Sequence, residues 1–141
     1  MVGYGARGLM ELLGLTITFI ACGAIAGEAP AASAPVSTEL GADGVQRLSI
    51  RLDSYSFTPS HIIVTADKPV ELTLENLARL APHNLKIDAP DLTVSQDVKA
   101  RKTEILRFTP TKRGTFDFYC DKSLLGKSHR DRGMVGKLEV R

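Results

Sequence analysis

The sequence of 141 residues predicts an all-β domain, an antiparallel β-sandwich, carried behind an export signal and a flexible tether. Three observations predict it. After residue 45, apolar and polar residues alternate with a period of two in six or seven short runs. No window of about 11 residues beyond the signal carries a helical stripe of period 3.6. Pro and Gly clusters punctuate the runs where a sheet needs turns. An apolar share of 43% beside a charged share of 24% is ordinary globular usage and sets aside disorder or a collagen-like chain. A net charge of +2 gives no electrostatic case for a nucleic-acid partner.

The first element is the signal, over residues 1–22. Arg7 supplies the positive start, and Leu12 to Ala26 is an uncharged, mostly apolar run preceded by Glu11. At 15 residues the run is shorter than the roughly 20 a membrane-spanning helix needs, which suits a signal segment. Two processing sites compete. Ala24-Ile25-Ala26 offers a small-x-small cleavage site, whereas Thr18-Phe19-Ile20-Ala21-Cys22 resembles a bacterial lipobox, in which Cys22 becomes the lipidated first residue of a lipoprotein. An uncleaved anchor is the third reading. All three place the rest of the chain outside the cytoplasm, in the periplasm or on the outer face of a bacterial membrane. Residues 23–44 are rich in Ala, Pro, Ser, Gly and Glu and form the tether.

Residues 45–141 form the folded domain. Leu48, Ile50 and Leu52 alternate with Ser49, Arg51 and Asp53, and Val70, Leu72 and Leu74 with Glu71, Thr73 and Glu75. Leu85 and Ile87 bracket Lys86, Leu106 and Phe108 share a face, and Pro110 to Gly114 makes a turn. Phe116, Phe118 and Cys120 then share a face, and Gly136, Leu138 and Val140 close the chain. Two stretches break the alternation, 76–82 and 121–133, and these loops are where function is expected. Charge is uneven. Residues 23–98 hold five Lys and Arg against ten Asp and Glu, residues 99–141 twelve against five.

The scarce residues converge on those loops. With Met1 and Met10 in the signal and Cys22 either removed or lipidated, the domain keeps one cysteine, Cys120, and one methionine, Met134. His129 lies between them, and His83 lies at the other irregular stretch, placed to complete a site from the second sheet. A thiolate, two imidazoles and a thioether form a soft to borderline donor set that favours copper. Zinc gains little from a thioether. No disulfide scaffold, CxxC zinc pair, phosphate loop or Ser-His-Asp set accompanies them. Cys120 and His129 could also pair as a nucleophile and its base, but no oxyanion hole or orienting third group is in sight. His61, beside Ser60, is expected at the surface with no metal role.

These residues carry a resemblance. Ala81-Pro82-His83-Asn84, then Gly114-Thr115-Phe116-Asp117-Phe118-Tyr119-Cys120, then His129 through Met134 to Leu138 are similar to the ligand segments of the cupredoxins, small blue copper proteins of the plastocyanin and azurin kind. Phe57-Thr58-Pro59 with Ile62 and Val64 resembles the family's second strand, so the likeness spans about residues 46–141. It implies a Greek-key sandwich with one type 1-like copper, His83, Cys120 and His129 as equatorial ligands and Met134 as the weak axial one. Asn84 is implied to tie the ligand loops together. The family's loop between cysteine and second histidine is usually shorter than the eight residues found here, 121–128.

The function implied is one-electron transfer between redox proteins of cytochrome or oxidase type; the protein is expected to be a monomer that meets the membrane through the lipid on Cys22 where the lipobox reading holds. His129 is expected to present a ring edge at the surface as the electron port. Lys122, Lys127, Arg130 and Arg132 surround the site as a candidate docking rim. The alternatives are an extracytoplasmic copper carrier or storage protein without electron transfer, and a metal-free binding module. Enzyme activity is not expected from a four-ligand site, although loss of Met134 or displacement of His129 would open a position for copper oxidase or nitric-oxide chemistry.

Overall fold

The computed structural model describes residues 34–141; the signal over 1–22, Cys22 and the first part of the tether lie outside the described residues. Strands follow in the order β1 (Val36–Ser37), β2 (Glu39–Leu40), β3 (Gln46–Asp53), β4 (Ser56–Thr58), β5 (His61–Val64), β6 (Val70–Asn76), β7 (His83–Ala89), β8 (Leu92–Val98) and β9 (Thr103–Phe108). After them come β10 (Gly114–Tyr119), a small hairpin of β11 (Ser123–Leu124) and β12 (Lys127–Ser128), a single 3-10 turn at Arg130–Arg132, and β13 (Val135–Val140). One sheet runs β1-β5-β13-β10-β7-β8, the other β2-β3-β6-β9 with β4 added to β3.

The two sheets make the expected sandwich, and the alternating positions fill it. Ile50, Leu52, Val70, Leu72, Leu74, Leu85, Ile87, Phe118, Leu138 and Val140 are all buried in one cluster. Strands such as β6 and β13 bury every second side chain because successive Cβ atoms point to opposite faces of a pleated sheet.

Strand direction is less uniform than the sequence pattern suggests. β3 pairs with β6, β5 with β13 and β1 with β5 in parallel, and the remaining pairs are antiparallel. The reason is connectivity. After β4 the chain crosses to the other sheet to form β5, then returns to lay β6 beside β3 in the same direction.

The ordered domain also begins earlier than residue 45. Val36–Ser37 pairs with β5, and Glu39–Leu40 pairs with β3, so these residues of the segment expected as tether line an edge of each sheet. The buried Gln46 fastens them. Its Oε1 accepts the Thr65 N–H at 2.6 Å and the Thr38 hydroxyl at 3.1 Å, and its Nε2 donates to the Thr65 carbonyl at 2.9 Å.

Packing behind the loop that follows β10 is equally specific. A Cβ on Gly136 would lie 2.3 Å from the Phe118 ring and 2.7 Å from the Ser60 carbonyl, so only glycine lets β13 pass this close. Phe118 meets Phe57 edge-on, with centroids 5.0 Å apart. These contacts lock the end of β10, from which Cys120 projects.

Candidate metal centre

Cys120 follows β10 directly, fully buried. Its N–H donates to the Met134 carbonyl at 3.2 Å, while the Met134 N–H donates to the His129 carbonyl at 3.0 Å. The Arg130 N–H closes the loop on the Cys120 carbonyl at 3.0 Å. Cys120, His129 and Met134 are therefore strapped together through the backbone, and all three are buried. Gly133, at φ +95°, caps the 3-10 turn and lets the chain reverse between the histidine and the methionine.

His83 comes from β7. The sequence pattern placed it in an irregular loop facing from the second sheet, but it opens a strand that neighbours β10 in the same sheet. A residue at the start of one strand thereby meets a residue just past the end of its antiparallel neighbour. Asn84, beside it, is 2% exposed, and its side chain reaches across. Its Nδ2 donates to Asp121 Oδ1 at 2.8 Å, its Oδ1 accepts the Asp121 N–H at 3.0 Å, and its backbone N–H points at Cys120 Sγ at 3.4 Å.

The donor atoms converge. His83 Nδ1 and His129 Nδ1 are 3.0 Å apart, and Cys120 Sγ lies 3.8 Å from the first and 3.4 Å from the second. Ordinary bonds of about 2.0 Å to nitrogen and about 2.3 Å to sulfur around a tetrahedral ion space such atoms by about 3.3 and 3.5 Å. The cluster already has the size of a coordination shell. His83 Nε2 is buried and has no hydrogen-bond partner.

Burial governs the electrostatics. It pushes the His83 imidazole down to about 4, helped by the adjacent His129, and it also lowers His129, helped by Arg132. Burial raises the Cys120 thiol, against the lowering pull of the Asn84 N–H. At neutral pH the metal-free centre thus holds two neutral imidazoles and a protonated thiol. A metal ion entering it has to displace only the thiol proton.

The other singled-out residues fall around this centre. Lys122 is held by Asp97 at 2.8 Å. Lys127 is exposed on β12. Arg130 lies over the Tyr119 ring at 4.2 Å, and Arg132 over Tyr55 at 4.9 Å. His61 stands apart, 3.4 Å from Glu139.

His129 does not present a ring edge to solvent; it is 1% exposed, because Tyr55 packs against it and the β11–β12 hairpin precedes it. A cavity of about 270 Å³ with Leu80, Pro82, Leu124 and His129 among its walls lies beside it. Sequence reasoning missed three contributors: Asp121 as the partner of Asn84, Tyr55, and the apolar rim of Leu80 and Leu125, exposed at 91% and 89%. Leu124-Leu125-Gly126 in an otherwise polar loop was the available signal for the rim.

A β-sandwich with a thiolate, two imidazoles and a nearby buried thioether at one end defines a mononuclear metal-binding sandwich protein. The chain belongs to the cupredoxin-like domain family, whose pattern matches residues 16–135. The family and the donor set together support one copper ion.

Solved structures agree on the fold. The metal-binding domain of the Cu(I)-exporting P-type ATPase CopA of Streptococcus pneumoniae D39, solved with Cu(I), is 20% identical, with TM-score 0.61 over 77% of this chain and 96% of that one. Reduced auracyanin from Roseiflexus castenholzii is 17% identical, with TM-score 0.58 over 67% and 96%. Auracyanin A of Chloroflexus aurantiacus, described as a blue copper protein, is 18% identical, with TM-score 0.53 over 67% and 99%. No curated protein sequence matches the chain. No helix among the described residues is long and apolar enough to cross a membrane.

Proposed function

We propose that His83 Nδ1, Cys120 Sγ and His129 Nδ1 would hold one copper ion, with the Met134 thioether as a further weak donor, and that the protein is an exported one-electron carrier. The observation that carries this reading is the convergence of three buried donors on a frame already strapped by backbone bonds from Cys120 to Met134 and from Met134 to His129. Copper supplies the chemistry by alternating between Cu(I) and Cu(II). The protein holds the donors at a spacing that suits both states, so little rearranges when an electron moves. Asn84 keeps the His83 strand and the Cys120 loop in register, and burial excludes water as a further ligand. With both histidines buried, electron transfer fits the site better than oxidase chemistry.

Export behind the signal, with or without a lipid on Cys22, suits a carrier working between extracytoplasmic redox proteins. Arg130, Arg132 and Lys127 are exposed near the centre and suit an acidic partner, while Lys122 is already paired with Asp97. Copper carriage without electron transfer is the second reading. The same fold serves in the Cu(I)-bound domain of a copper exporter.

The test is the purified protein titrated with Cu(II). A strong visible band from the Cys120 thiolate is expected, and it should vanish in Cys120→Ser. A colourless product overturns the copper–thiolate reading. A blue product whose copper cannot be reduced and reoxidised reversibly favours carriage.

A further inference from the structure

The burial of His129 leaves open where an electron would leave the centre, and the turn between β3 and β4 supplies a candidate. Asp53 pairs with Ser56, so Ser54 and Tyr55 form a two-residue turn. Tyr55 has φ +63°, a conformation that glycine or asparagine adopts readily and an aromatic residue does not. That conformation puts the Tyr55 ring edge-on to His129, with centroids 5.1 Å apart and planes at 79°. The Arg132 guanidinium covers the same ring at 4.9 Å and donates to the Leu124 carbonyl at 3.0 Å, so it joins the turn to the ligand-loop hairpin. Tyr55 itself is half-buried, with part of its surface in solvent. A residue unsuited to its backbone stands where its ring reaches both a candidate ligand and the surface.

We propose that Tyr55, clamped by Arg132, takes the place of an exposed histidine edge: it positions the His129 ring, and the electron crosses between copper and partner through it. This rests on the one-electron-carrier reading. In each crossing one electron passes from Cu(I) in this protein to an external one-electron acceptor, leaving Cu(II) here and the acceptor reduced by one. Tyr55 supplies the contact path; it gains and loses neither an electron nor a proton.

Self-exchange between Cu(I) and Cu(II) copies, read from NMR line broadening in mixtures, tests this with the acceptor defined. Tyr55→Gly removes the ring while suiting the turn's positive φ, and Tyr55→Phe restores the ring. Exchange is expected to be roughly tenfold slower in the glycine variant and close to wild type in the phenylalanine variant. The metal-free protein gives an independent readout. The ring-current shift of the His129 ring protons should be present in wild type and Tyr55→Phe and absent in Tyr55→Gly. Should Tyr55→Gly fail to fold, Arg132→Gln carries the test, because freeing the ring from its clamp should also slow exchange. A rate unchanged or faster in the variant measured overturns the Tyr55 route, even if the wild-type protein is blue. A colourless wild type instead ends the copper reading on which it rests.

Discussion

Replacing Asn84 with alanine probes the tie between the His83 strand and the loop after Cys120. The buried amide makes two side-chain hydrogen bonds to Asp121, one to the carboxylate at 2.8 Å and one from the backbone N–H at 3.0 Å. A hydrogen bond of this kind contributes about 1 kcal/mol net, more when one partner is charged, and an abandoned buried donor costs about 1–3 kcal/mol. The Asp121 side chain is 45% exposed, so water recovers part of the loss on that side. The expected cost to the metal-free protein is about 2–3 kcal/mol. For a domain of about 100 residues this lowers Tm by roughly 10–20 °C.

Urea unfolding followed by circular dichroism measures it, and the slope should stay constant, since the exposed surface hardly changes. Asp121→Ala provides the comparison. It removes the acceptor of the buried Asn84 Nδ2 and a contact with Lys86, while its own N–H still reaches Asn84, so its cost should be about 1–3 kcal/mol. The double variant should cost less than the two singles added. Asn84→Ala within about 0.5 kcal/mol of wild type, a shift typical of neutral surface changes, would refute the claim that this pair ties the loops.

The metal-free protein should lose stability in acid. Unfolded, His83 takes its proton near its ordinary value of 6.5; folded, burial holds it down to about 4. The unfolded chain therefore binds more protons in that window. The stabilisation is full above 6.5 and declines by about 3 kcal/mol as pH falls toward 4, with His129 adding in the same direction. Urea midpoints that stay level between pH 7 and 4.5 would count against this.

Gly136→Ala should destabilise by about 3 kcal/mol or more, because the new methyl meets the Phe118 ring and a backbone carbonyl. Adding Phe118→Leu should restore only part of that, as the Ser60 carbonyl remains in the way, and a thermal melt distinguishes the cases. Gln46→Ala, which strips the Thr65 N–H of its acceptor, should cost about 2 kcal/mol and expose residues 36–40 to faster amide exchange.

Much of the centre was legible from residue placement. Cys120, His129 and Met134 fall in one short segment, and local loops bring sequence neighbours together whatever the fold around them. His83 and Asn84 were legible only through their resemblance to a known pattern. Nothing in residues 76–82 shows that the strand opening at His83 runs beside β10 instead of facing it. The role of Asp121 was not legible either, because an acidic residue after the cysteine has the same local signature whether it is solvated or held by an amide 37 positions away. The buried His129 was missed for a related reason. Its cover is supplied in part by Tyr55, 74 positions earlier, at a turn whose backbone conformation no propensity favours for tyrosine.

The sequence by itself determined the sandwich and the donor chemistry. Period-two alternation reports which face of each strand is buried, and the identity of the scarce soft residues reports what they can bind. Tertiary structure alone decided the parallel pairing of β3 with β6, the recruitment of residues 36–40 to the sheet edges, and the closure of His129 under Tyr55. Alternation fixes the face of a strand but carries no information about its neighbour or its direction. Those depend on contacts between residues far apart in the chain, which exist only once the two sheets have packed.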